Sequence, residues 1–274
     1  MQVRPATAQT PGAGCGVTVR ELGTADGISA AFDLFNEIWG NDGSAAVPLN
    51  VMKALAHCRN YLAGAFEGDR MVGASLAFAW GDLSARSLHS HITGVIEGAQ
   101  GRGIGHALKQ HQRDWAAGHG YDTITWTFDP LVRRNGWFNL IKLGARVEEY
   151  EPDFYGPMHD GINAGDATDR CLVVWGVEPG TSAASSDGGR PPDAVTLLRC
   201  GPGDVPVVEA GSWDTPVLAC QVPRDIIELR RSDPALALRW RQALRDTMGV
   251  AMRAGFVASS MTRDGFYLLE RKNP

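Results

Sequence analysis

The chain has 274 residues, 44% of them hydrophobic and 21% charged, with 26 basic against 31 acidic side chains and a formal net charge of −5. That length buries a core without disulfide or metal staples, and composition this ordinary excludes fibrous, collagen-like and disulfide-framework proteins. No run of about 18 apolar residues is present to span a bilayer, and an acidic balance argues against nucleic acid or an anionic membrane as partner.

Residues 1–16 lack the apolar core of a secretory signal and are expected to form a disordered tail. The five cysteines are odd in number and scattered without a CxxC pair, which suits free thiols in a reducing cytoplasm. Residues 17–22 predict a strand, 26–39 a helix behind Thr24, and 48–57 a second helix opened by Pro48. A hairpin is predicted from 61–66 and 71–80 around Gly68, followed by a third strand over 87–95. Residues 102–118 carry the clearest helical period: Ile104, Leu108, His111 and Trp115 form one face, with Lys109, Gln112, Arg113 and Asp114 expected opposite. A strand (121–128), a helix (131–143) and two strands (145–150 and 171–177) follow. The Gly-, Ser- and Pro-rich stretch 178–193 reads as a flexible linker. Beyond it, strands are predicted at 195–199, 217–222 and 266–270. A long helix capped by Asp233 carries Leu236, Trp240, Ala243, Leu244, Met248 and Ala251 on one stripe. One helix on two or three strands leaves a sheet face uncovered, so this part is expected to pack on the first domain or on a second copy in a homodimer.

Chemistry concentrates in Gln100-Gly101-Arg102-Gly103-Ile104-Gly105, between a strand and a helix N-terminus. Glycines there let backbone approach a ligand, and the unsatisfied N–H groups and helix dipole favour an anion such as a pyrophosphate. A Walker loop would need GK[ST], and a dinucleotide fingerprint would need Gly in place of His106.

The pattern Q/R-x-x-G-x-G/A, five residues after an apolar strand end at Val95, together with the element order, resembles the GNAT superfamily of acyl-CoA-dependent N-acetyltransferases. The resemblance covers residues 17–177. It implies an α+β fold, a GNAT-like central mixed sheet with helices on both faces, here followed by a small α+β C-terminal appendage over 194–274. It implies acetyl-CoA or another acyl-CoA as co-substrate, with the pantetheine on the Val95 backbone between splayed strands. The pyrophosphate would lie on the N–H groups of Gly101, Arg102, Gly103, Ile104, Gly105 and His106 behind Gln100, and Asn135 resembles the family's cofactor-contacting Asn, at a spacing two residues short.

Some members keep a carboxylate base on the strand before the loop, and the matching position here is His89. His91 lies two residues on and so on the same sheet face, and Ser87 and Thr93 are expected to complete that polar row. Two core histidines are the structural alternative, and a zinc site lacks a third ligand. The family's Tyr acid is replaced by Leu140 before Gly144, which leaves Asn139 and Tyr155 as candidates. The segment 148–169 holds seven acids with Tyr150, Phe154 and Tyr155, and is expected either to receive an ammonium group or to be simply solvated. These features imply a cytoplasmic N-acyltransferase acting on a small primary amine, for instance an amino acid. The alternative is a GNAT-fold acyl-CoA-binding module that has lost its catalytic groups.

Overall fold

The structure is a computed structural model and describes residues 10–11, 16–40, 45–81, 86–156, 166–178 and 189–272. The rest of the expected tail, residues 179–188 of the linker and residues 157–165 of the acidic segment lie outside the described residues. The chain divides into two compact units, residues 1–124 and 125–274. The composition shift at 178–193 therefore falls inside the second unit, whose boundary with the first lies within a strand.

The first unit begins with β1 (Thr10–Pro11), which pairs antiparallel with β2 (Thr18–Glu21). Two residues of the expected tail are thus strand-paired. In α1 (Ala25–Trp39), the Thr24 hydroxyl accepts from the Gly27 N–H, a side-chain N-cap that satisfies one orphan donor. Pro48 is the N-cap of α2 (Leu49–His57) rather than its first helical residue. β3 (Leu62–Glu67) and β4 (Arg70–Trp80) pair through Glu67 and Arg70. The tight turn between them needs positive φ at its first residue, which Gly68 supplies at 57°. β5 (Ser87–Val95) pairs antiparallel with β4, and α3 (Ile104–Gly118) follows the glycine loop.

Helices cover both faces of this sheet. A Cβ on Gly94 would meet Trp39 and Ile38 of α1, whereas a Cβ on Gly73, opposite Val95, would meet Leu108 of α3. Adjacent strand positions point to opposite faces, so the two glycines record the close approach of one helix from each side. The core here gathers Phe35, Met52, Tyr61, Leu76, Leu88, Ile104 and Leu108, all fully buried. Among polar groups in it, the Tyr61 hydroxyl meets His111 Nδ1 at 3.0 Å, and the Trp115 indole donates to Glu21 at 3.0 Å.

The second unit takes up within β6 (Thr123–Phe128) and continues through α4 (Arg133–Trp137), which runs on as a π-helical turn over Phe138–Lys142. Next come β7 (Arg146–Glu151), β8 (Arg170–Gly176), β9 (Val195–Cys200), β10 (Pro206–Val208) and β11 (Val217–Gln221). Then follow α5 (Ile226–Ser232), α6 (Pro234–Leu244), α7 (Val250–Arg253), β12 (Phe256–Met261) and β13 (Phe266–Arg271). Its strand order is β6-β8-β7-β12-β13-β11-β9-β10. β9 and β11 run parallel while β7–β8, β12–β13 and β11–β13 are antiparallel, so the sheet is mixed. Strands before and after the linker share it, because β12 pairs with β7 through Ala258 and Val147.

Trp240, expected to pack on residues before the linker or on a second subunit, is fully buried with its indole donating to the Asp204 carbonyl at 2.7 Å. The neighbouring Arg241 reaches residues before the linker, bonding Asp129 and Asp166. No described helix is long and apolar enough to cross a membrane.

Candidate active site

The glycine loop opens α3 with its backbone bent back on itself. Gly101 has φ 76° and Gly103, the N-cap of α3, has φ 85°, a left-handed conformation in which any other residue is strained. Space around Gly101 and Gly105 is open, with no heavy atom near a Cβ placed there. The first bond of the helix is donated by Ala107 to Gly103. Among the described residues, the N–H groups from Gly101 to Gly105 donate to no partner. Aligned N–H groups at the positive end of a 15-residue helix make an anion cradle. The donor set therefore fits a pyrophosphate.

The flanking side chains act within the protein. Gln100 Nε2 donates to the Val95 carbonyl at 3.1 Å, which fixes the end of β5 against the loop. Arg102 is ion-paired with Glu67 of the β3–β4 turn, so its charge is shared there rather than held free for a ligand. Ile104 contributes its N–H only, its side chain being buried in the core. His106 contacts Gln110 at 3.3 Å. In the second unit Asn135 is exposed at the start of α4.

On β5, His89 lies directly opposite Phe78 of β4. The rings of His89 and His91 are 6.3 Å apart, both pack on Phe78 at 5.4 and 5.6 Å, and Trp80 meets His89 edge-on at 5.3 Å. Both histidines share one face, as the strand period predicts. Burial, then the neighbouring His91 and Lys109, lower the pKa of His89 from the usual histidine value to about 4, and burial lowers that of His91. Both rings are therefore neutral at neutral pH, able to accept a proton and not already holding one. Among the described residues no group of three or more His, Cys, Asp or Glu could hold a metal ion.

Two expectations for this region change. Thr93 does not extend the histidine row: its hydroxyl lies 2.8 Å from that of Ser75, which accepts from Gln112 of α3 at 3.1 Å. The cause is a β-bulge. Pairing passes from Leu76–Ile92 to Ala77–Ser90, leaving His91 as the extra residue, and beyond a bulge the alternation of faces is offset by one. Nor do Lys109 and Gln112 face solvent. Both are buried, with Lys109 Nζ donating to Ser90 Oγ at 2.8 Å and to Gln112 Oε1 at 3.3 Å. Burial lowers the Lys109 pKa to about 7.

In the second unit Tyr155 is 44% exposed, with its hydroxyl 3.1 Å from that of Thr127, its ring under Arg170 and edge-on to Phe154. Asn139 is buried and accepts from the Trp126 indole at 3.3 Å, while Leu140, at the place of the missing Tyr, is sealed in the core. Several acids of the 148–169 segment are neither solvated nor available to an ammonium group. Asp166 accepts from Arg230 and Arg241 at 2.8 and 2.9 Å, Asp169 from Tyr150 and Arg245, and Glu148 from Lys272.

Comparison with curated protein sequences gives no match. Among solved structures the chain is similar to an N-acetyltransferase from Staphylococcus aureus Mu50 (14% identity, 59% of this chain and 99% of that one, TM-score 0.49). It is also similar to the ribosomal-protein-S18-alanine N-acetyltransferase from Escherichia coli (14%, 60% and 95%, TM-score 0.47). A third similar structure is a GNAT superfamily phosphinothricin acetyltransferase from Sinorhizobium meliloti, solved in complex with acetyl-CoA (15%, 64% and 96%, TM-score 0.49). Residues 28–136, which contain the glycine loop and both histidines, match the model of the acetyltransferase (GNAT) family.

Proposed function

We propose that the protein transfers an acetyl or related acyl group from acyl-CoA directly to a small primary amine, with the glycine loop as pyrophosphate cradle and His89 as general base. The observation that carries this reading is the run of unengaged N–H groups from Gly101 to Gly105 at the head of α3, next in sequence to a strand that presents two neutral imidazoles on one face.

Acyl-CoA, when bound, supplies the activated thioester. The residues of the chain then have two tasks. The loop N–H groups and the dipole of α3 bind the two phosphates and orient the acyl group. His89 takes the proton that the amine nitrogen must lose. A base with a pKa near 4 is weak against a free ammonium, so the acceptor enters as the neutral amine, its ammonium proton having gone to solvent; once that nitrogen has begun to bond the acyl carbon, a remaining N–H proton becomes far more acidic and passes to His89. A neutral, partly desolvated imidazole is matched to that later stage. His91 orients His89 or passes the proton on. The leaving thiolate is protonated from solvent.

The test is thiol release from acetyl-CoA and succinyl-CoA over a library of amines. With a turned-over amine in hand, His89→Gln should lower turnover by about 10²–10⁴-fold, the usual contribution of a positioned base, with coenzyme A affinity nearly constant. A base must be deprotonated to act, so rate should fall as pH falls through its pKa. The acidic limb of kcat/KM should therefore lie near pH 4, well below the usual histidine range. Normal turnover and an unmoved acidic limb in His89→Gln would assign the base elsewhere.

A further inference from the structure

Lys109 is the charged residue that the reading above leaves without a task. A lysine buried under a sheet is costly, since its ammonium loses hydration that neutral hydroxyl and amide dipoles replace only in part, and an apolar residue of similar volume would pack the same space at lower cost. What the lysine makes there is a chain of hydrogen bonds with a defined geometry. Its Nζ donates to Ser90 and to Gln112, Gln112 donates to Ser75, and Ser75 bonds Thr93, at 2.8, 3.3, 3.1 and 2.8 Å.

Ser90 and Thr93 stand on either side of His91, the extra residue of the β5 bulge. In an unbroken strand, positions three apart point to opposite faces. Here both hydroxyls reach the network on the α3 side, which the chain can do only by bulging between them. The bulge in turn leaves His89 and His91 together on the opposite face, packed on Phe78. Lys109 lies six residues after the N-cap Gly103 on the helix that opens from the glycine loop.

We infer that Lys109 is a positioning residue for acyl transfer: by tying Ser90 and, through Gln112 and Ser75, Thr93 to α3, it holds the β5 bulge that sets the His89–His91 pair. The inference rests on the proposed role of His89, and the experiment separates the two. Imidazole NMR signals of His89 and His91, assigned with His89→Gln and His91→Gln, are followed through a pH titration of the full-length chain without substrate. Turnover and coenzyme A affinity are measured alongside.

In Lys109→Met both imidazole signals should move, and His89 should titrate at higher pH because a nearby cation is gone. Turnover should fall about 10–100-fold, as for a misplacement of the order of 1 Å, with coenzyme A affinity kept within about twofold. Ser90→Ala removes one hydroxyl and no volume of consequence. It should move the same signals by less while the cation stays, and it decides the question if Lys109→Met does not fold. Imidazole signals and titrations identical to wild type in a folded variant would overturn the inference. If the signals move while turnover holds, the positioning stands and His89 is not the base.

Discussion

The two units bury charge in opposite ways. In the second, cations and anions are matched: Arg230 and Arg241 close on Asp129 and Asp166 with all four side chains under 10% exposed, and Arg245 caps Asp169 beside them. In the first, one lysine lies among hydroxyl and amide groups, and two imidazoles lie among aromatic rings. Matched charges keep their ionised forms. Burial raises the pKa of Asp129, but Arg241 and Arg230 outweigh it and hold the carboxyl at about 2. In the first unit burial prevails, and Lys109 and His89 move toward neutrality. A cluster of the first kind fastens chain segments, here the stretch before β8 to α5 and α6. Groups of the second kind can gain or lose a proton within the working pH range, as chemistry requires.

The sharpest test of that contrast breaks the matched cluster. Arg241→Met leaves Asp129 and Asp166 with one arginine between them in a buried site, and removal of one partner from such a cluster costs about 3–5 kcal/mol. The denaturant midpoint of the intact chain should fall accordingly. Replacing all four members with apolar residues of similar volume should recover much of the loss, because the desolvation cost goes with the charges. A small effect of Arg241→Met would place these ions with weak surface pairs.

Gly103→Asp probes the first unit in the converse sense. It places a side chain at φ 85° and a carboxylate beside the N–H groups that would hold phosphates. Distortion of the loop and repulsion together should weaken coenzyme A binding by about 100-fold or more, roughly 3 kcal/mol, while the strained φ itself lowers stability by about 1–2 kcal/mol. Unchanged affinity in a folded variant would remove the basis for the cradle.

Much of this was legible in the sequence because it depends on local signals. The third strand over 87–95 and the hairpin before it follow from alternation and Gly68. Asp233 and Thr24 cap their helices as read, and the loop from Gln100 to Gly105 declares its backbone through its glycines. What escaped depends on partners far along the chain. Lys109 and Gln112 look like solvent residues in a helical stripe, since nothing in the period marks a polar side chain whose partners lie on β4 and β5. Asp166 and Asp169 look like part of a solvated acidic loop because their arginines come 64 and 76 residues later. The bulge at His91 has no sequence mark, as alternation does not say where it will slip. β12 was missed because Ala258, Ser259 and Ser260 weaken its apolar pattern, and β10 because three residues carry no period.

The smallest predicted effect distinguishes the units by pH. For Asp129 the folded pKa, about 2, is depressed below the ordinary carboxylate value of 3.8. Its contribution to stability is therefore fully present above about pH 4 and is lost as pH falls through its folded pKa. That contribution is about 2 kcal/mol at neutral pH. Asp169, also lowered, acts in the same sense. Lys109 and His89 are depressed too, but as bases they bind protons more readily when unfolded. The unfolded chain gains protons first at Lys109, between its ordinary value of 10.5 and about 7, then at His89, between 6.5 and about 4, so stability in the first unit should decline through those windows. Amide hydrogen exchange read strand by strand should show β4 and β5 losing protection between about pH 6.5 and 4, the His89 window, while β7 and β8 keep theirs, with the second unit following only below pH 4. Loss in both units through one common window would mean that they unfold together and that the contrast in buried charge has no separate effect on their stability.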